Sequence, residues 1–105
     1  MTQVFDLTEQ SFNEVAGRGV VLIDFWAPWC GPCRLQHPIL ERVAERLGDR
    51  ATVARVNVDE APGLAERFGV MSIPTLVLLK DGKEIGRSVG VTDETALVQA
   101  IEGAL

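Results

Sequence analysis

The chain has only two cysteines in 105 residues, and they stand three positions apart in Trp29-Cys30-Gly31-Pro32-Cys33. Two thiols at that spacing can close a disulfide and open it again, and the attacking species in such exchange is the thiolate. The pair falls where an apolar run ends and a long amphipathic segment begins. A helix N-terminus there supplies unpaired N–H groups and the positive end of the helix dipole, both of which favour a sulfur anion. Two other readings stand beside this one. A zinc site needs about four ligands, and beyond this pair the chain offers only His37 and scattered carboxylates. A purely structural disulfide across two residues closes so short a loop that it restrains the unfolded chain little.

Within the redox reading the roles differ by position. Cys30 precedes the helix, beside Trp29 and Gly31, and is the candidate nucleophile. Cys33 lies one turn further in, on the side facing the core, and is the candidate resolving thiol. Gly31 is expected to give backbone freedom for a sharp turn, and Pro32 fits a first-turn position that needs no N–H. Asp24 interrupts an apolar strand that leads straight into the motif. A buried lone carboxylate has its pKa raised by desolvation, which suits a proton acceptor for Cys33 near neutral pH. The competing account is a structural carboxylate paired with Arg55 on the neighbouring strand.

Three further residues are singled out. Pro74, in Ile73-Pro74-Thr75, opens a strand directly, where proline cannot donate to the sheet and where the cis form of an X–Pro bond occurs, at the ordinary X–Pro frequency of about 5–6%. Trp29 is the aromatic best placed to face a substrate. His37, four positions after Cys33, reads as a solvated helix residue.

The elements that position these groups follow from periodicity. Val4 to Leu7 is a short strand, and Thr8 offers a cap to a helix carrying Phe12, Val15 and Ala16. Val20 to Trp26 is nearly unbroken apolar sequence, as in a strand buried on both faces. From about Pro32 to Leu47 a helix presents Leu35, Ile39, Val43 and Leu47 as its apolar stripe, with Leu40 and Ala44 beside it; Pro38 is expected to bend it. Ala51 to Val58 is a strand, and Ala61 to Phe68 a short helix. The runs on either side of Asp81-Gly82 form an antiparallel hairpin. Thr92 or Asp93 caps a last helix with Leu97, Ile101 and Leu105. The sum is α/β: one domain over residues 1–105, about five strands in a mixed sheet and about four helices.

Net charge is −5, the ten basic residues are dispersed, and 47% of residues are hydrophobic. That composition supports one core and argues against nucleic acid or an anionic membrane as partner. The N-terminal stretch from Met1 has neither a basic segment nor an apolar one, and no run is long enough to span a bilayer. The expectation is therefore a cytoplasmic protein, where a disulfide is more often transient than structural.

Phe25-Trp26-Ala27-Pro28-Trp29-Cys30-Gly31-Pro32-Cys33 resembles the active-site segment of bacterial thioredoxins. Ile73-Pro74-Thr75 is similar to that family's cis-proline loop, and Asp24, Pro38, Asp81-Gly82 and Gly90 fall in matching order. The resemblance implies the thioredoxin fold, a central five-stranded sheet flanked by four helices, with Pro74 cis. It implies a shallow apolar substrate surface at Trp29, Gly31, Pro32, Ile73, Pro74, Gly90 and Val91. It implies a monomeric protein-disulfide reductase with no bound cofactor, maintaining redox homeostasis and recharged by NADPH-dependent thioredoxin reductase. Substrates implied are proteins such as peroxiredoxins, methionine sulfoxide reductases and ribonucleotide reductase. The Gly-Pro dipeptide resembles the reducing branch, while disulfide oxidases and isomerases usually carry a histidine there. A potential of about −270 mV is a family value carried over with the resemblance. Arg34, His37 and Arg55 depart from the commonest pattern. Arginine, unlike lysine, does not give up its proton, so an Arg55 that reached Asp24 would hold the acid ionised. A non-catalytic module that docks partners beside Pro74 remains a separate reading.

Overall fold

The computed structural model describes residues 3–105. Met1 and Thr2, the start of the N-terminal stretch read above, lie outside the described residues. In chain order the elements are β1 (Val4–Leu7), α1 (Phe12–Ala16), β2 (Val20–Trp26), α2 (Gly31–Leu47), β3 (Thr52–Asn57), α3 (Pro62–Arg67), β4 (Thr75–Lys80), β5 (Lys83–Val89) and α4 (Glu94–Ala104). One 3-10 turn follows α2. The strands form one mixed sheet in the order β1-β3-β2-β4-β5, with β3 parallel to both β1 and β2 and the β4–β5 hairpin antiparallel. Asp81 and Gly82 both take positive φ, 50° and 83°, which gives the two-residue turn the twist its flanking strands need.

β2 occupies the centre, and all but its last residue are buried. Successive side chains on a strand face opposite sides. Val20 and Leu22 thus join Leu40, Val43 and Leu47 of α2 and Leu97, Val98 and Ile101 of α4 in one core. Val21, Ile23 and Phe25 join Phe12 of α1 and Leu64 of α3 in the other. By the same alternation Asp24 faces the α2 layer.

The phase of α2 differs from the expected stripe. Its buried face is Cys33, Gln36, Leu40, Val43, Ala44 and Leu47, while Leu35 is 65% exposed. Four-residue steps overshoot a 3.6-residue turn by about 40° each, so Leu35 stands about 120° around the helix from Leu47. The cap expected of Thr8 is not made: Ser11 precedes α1, without a side-chain cap hydrogen bond, and its own amide donates to Thr8 Oγ1 at 3.1 Å. Asp93 accepts a hydrogen bond from the Ala96 amide at 2.8 Å and starts α4.

Candidate functional site

Cys30 is the N-cap of α2, with extended backbone, and is bonded to Cys33 as a disulfide. The two Cα atoms are 5.3 Å apart, within the ordinary span of such a bond. The Cys33 amide donates to Cys30 Sγ at 3.2 Å, so the helix start aims a donor at that sulfur. Cys30 keeps 5% of its surface and Cys33 none, so only Cys30 can be approached from outside. Gly31 is the first residue of α2, and an added Cβ would meet nothing within 4 Å. It is not among the positive-φ glycines, so the freedom expected of it is not used. What it contributes is the lack of a side chain beside the sulfur.

Three loops meet at this point. The Ile73–Pro74 peptide is cis, and the Ile73 carbonyl oxygen lies 3.8 Å from Cys30 Sγ. The Gly90 amide donates to the Pro74 carbonyl at 2.8 Å, tying the β5–α4 loop to the proline. Trp29 is 69% exposed, and its indole N–H donates to Asp59 at 3.0 Å. Together with Val70, Met71 and Ile73, Trp29 lines a shallow groove of about 410 Å³. Of the expected substrate surface, Trp29 and Ile73 line this groove, while Gly31, Pro32 and Val91 are exposed without lining it. Pro74 is itself buried, leaving Ile73 as the accessible side chain of that loop.

Sequence reading missed two contributors. Met71 is 95% exposed at the groove. Gln36 is fully buried and grips the Thr92 backbone with both ends of its amide: its Nε2 donates to the Thr92 carbonyl at 3.0 Å and its Oε1 accepts from the Thr92 amide at 2.8 Å. That clamp fastens the Gly90–Thr92 loop to the helix carrying the cysteines. Its signal was an amide at the buried spacing between Cys33 and Leu40.

Asp24 is wholly buried, and neither carboxyl oxygen has a hydrogen-bond partner. Burial pushes its pKa from 3.8 up to about 7, with the nearby Arg55 charge pulling the other way. The Asp24–Arg55 pair of the competing account is not made. Asp6, Arg55 and Asp24 are in register across β1, β3 and β2, and Arg55 turns to Asp6 on the edge strand, with N···O distances of 2.8 and 3.0 Å. There both charges stay partly hydrated, whereas pairing with Asp24 would bury them.

His37 is likewise not a solvated helix residue. Its side chain is 22% exposed, packed edge-on against Trp26 at 4.8 Å between ring centroids. Its Nδ1 lies 3.0 Å from Arg55 Nη1 and its Nε2 3.9 Å from Asp24 Oδ2. Among the described residues, no group of three or more His, Cys, Asp or Glu side chains is placed to hold a metal, and no helix is long and apolar enough to cross a membrane.

A disulfide seated on a helix N-terminus, faced by a cis-proline loop and an apolar groove, is the site of a thiol–disulfide oxidoreductase. The family model for thioredoxin matches residues 3–103. The chain is 47% identical over 94 residues to the thioredoxin of Bacillus subtilis, covering 90% of each. It is 46% identical over 101 residues to that of Chlamydia trachomatis, covering 96% of each. Among solved structures, a thioredoxin from Malassezia sympodialis superposes with a TM-score of 0.89 at 36% identity, covering 99% of this chain and 92% of that one. A mutant thioredoxin from Halobacterium salinarum gives the same TM-score of 0.89 at 39% identity, covering 97% and 90%. The chain belongs to the thioredoxin family, whose chemistry is dithiol–disulfide exchange.

Proposed function

We propose that this chain is a general reductant of protein disulfides, acting as a single-domain monomer in the cytoplasm and recharged by an NADPH-dependent thioredoxin reductase. The observation that carries the reading is the N-cap position of Cys30, with the Cys33 amide directed at its sulfur. The same donor stabilises a thiolate once the disulfide is opened. Peroxiredoxins, methionine sulfoxide reductases and ribonucleotide reductase are the substrate proteins the family suggests.

In the reduced protein the Cys30 thiolate attacks one sulfur of a substrate disulfide. The substrate S–S bond breaks, a mixed disulfide forms, and the other substrate sulfur leaves as a thiolate that takes a proton from water. Asp24 accepts the proton of Cys33, whose thiolate then attacks Cys30 Sγ. This closes the Cys30–Cys33 disulfide and releases the second substrate sulfur. Two electrons pass from the dithiol to the substrate, and the reductase returns them from NADPH. Substrates approach over Trp29, Gly31, Pro32, Ile73, Gly90 and Val91, with the buried Pro74 shaping the loop beneath Ile73, beside the accessible cysteine sulfur.

The test is the Cys30–Cys33 redox equilibrium in glutathione buffers. A potential near the family value of about −270 mV supports a reductase. A value between about −180 and −120 mV assigns the pair to isomerisation or oxidation instead. A pair that never equilibrates leaves only a docking module.

A further inference from the structure

Asp24 and His37 confront one another as unpaired atoms. Both carboxyl oxygens of Asp24 and Nε2 of His37 are buried without a hydrogen-bond partner, and the nearest approach between them is 3.9 Å. The other face of the imidazole decides what Nε2 carries. Arg55 has only donors and keeps its proton, so a 3.0 Å contact from its Nη1 requires Nδ1 to be the acceptor. In a neutral imidazole the hydrogen then sits on Nε2, the ring atom that lies 3.9 Å from Asp24 Oδ2. Trp26 holds both partners in this arrangement, its ring stacked edge-on by His37 and covered by the Arg55 guanidinium at 5.3 Å.

The surroundings favour the neutral imidazole. Burial and the Arg55 charge lower its pKa, while Asp6 of β1 and Glu41 of α2 pull weakly the other way. In the oxidised protein the charged and titratable groups set against Asp24 are His37 from α2 and Arg55 from β3; on reduction the Cys33 thiol of α2, whose proton Asp24 is proposed to accept, is added. Its β4 neighbour is Leu76. On the outer side of His37 and Arg55 lies a surface cavity of about 590 Å³, also lined by Glu41 and Glu45. His37 thus stands between solvent and the acid, one turn beyond Cys33 on the same helix.

We propose that His37 is a positioning residue that holds Asp24 as a carboxylate, its Nε2–H fixed by Arg55 and closing on Oδ2 when the acid ionises. Arg55, engaged with Asp6, acts on Asp24 directly through its charge and also fixes the imidazole that faces the acid. The catalytic consequence rests on the proposed role of Asp24 as proton acceptor for Cys33. Shortening the gap by about 1 Å converts two unpaired groups into one charge-assisted hydrogen bond.

The experiment is a carboxyl-carbon NMR titration of Asp24 in the oxidised protein, where no thiol titrates, for wild type, His37→Leu and His37→Gln. Leucine fills the space without a donor; glutamine can accept from Arg55 and donate to Asp24. The expected result is a midpoint raised by about one pH unit in the leucine protein, a tenfold lower carboxylate-to-acid ratio, and returned at least halfway by glutamine. An unmoved or lowered midpoint in His37→Leu overturns the proposal. Equal elevation in both variants also overturns it, because burial alone would then account for the effect. The rate of mixed-disulfide resolution against pH is measured on the same proteins. If the midpoints move as expected and the rate does not follow them, His37 keeps its role and the proton-acceptor role of Asp24 fails.

Discussion

Replacing Asp24 with asparagine should stabilise the fold, and only above the acid range. The ordinary pKa of 3.8 is raised by burial to about 7 in the folded protein. Between those values the folded chain keeps a proton that the unfolded chain has lost. Stability of the wild type therefore falls as pH rises from about 4 to 7 and levels off beyond. Three pH units at about 1.4 kcal/mol each give a penalty of roughly 4 kcal/mol at pH 8. Asparagine stands in for the protonated acid at every pH and escapes that penalty. For a domain of this size the gain corresponds to a melting temperature higher by on the order of 15 °C. Urea unfolding of the oxidised proteins at pH 4, 6 and 8 is the assay, with the difference between the two proteins removing titrations they share. The expected difference is near zero at pH 4, intermediate at pH 6 and largest at pH 8. A difference independent of pH would refute the reasoning, since it would place the effect in packing and not in the ionisation of a buried acid.

Cys30→Ser should abolish disulfide reduction with the fold intact by circular dichroism; turnover in that variant would remove its assignment as nucleophile. Cys33→Ser should accumulate mixed disulfides with protein substrates, visible by mass spectrometry, and their absence would contradict the two-step route. Gln36→Leu removes both hydrogen bonds from the half-buried Thr92 amide and carbonyl, a loss of about 1 kcal/mol for each. Faster hydrogen exchange at the Thr92 amide and a KM for protein substrates raised more than kcat is lowered are expected, and unchanged exchange would deny the clamp.

Local signals were enough for the frame of this molecule. An unbroken apolar run marked the central strand, Asp81-Gly82 marked the hairpin, and the Cys spacing located the chemistry on a helix start. The surroundings of Asp24 were not legible in the same way because they are assembled across the sheet. Arg55 has carboxylates in register on both sides, Asp6 and Asp24. Nothing within one strand says which it takes; the choice follows from β1 being an edge, where an ion pair keeps its water, and β2 being central.

The displaced reading of His37 has a different origin, and its signal was in the sequence. Taking the leucines as the guide to α2 put Leu35 inward and left His37 outside. Taking the buried thiol as the guide reverses both. At about 100° per residue, Leu35 stands about 160° away from Cys33 on the helix surface, and His37 only about 40° away. The observed burial follows that second phase, with Leu35 exposed and His37 mostly covered. The rotation that buries the Cys33 sulfur is the one that also buries Gln36, Leu40, Val43, Ala44 and Leu47. Whatever lies one turn beyond that sulfur is carried inward with it, which is how an imidazole comes to lie against the acid of the central strand.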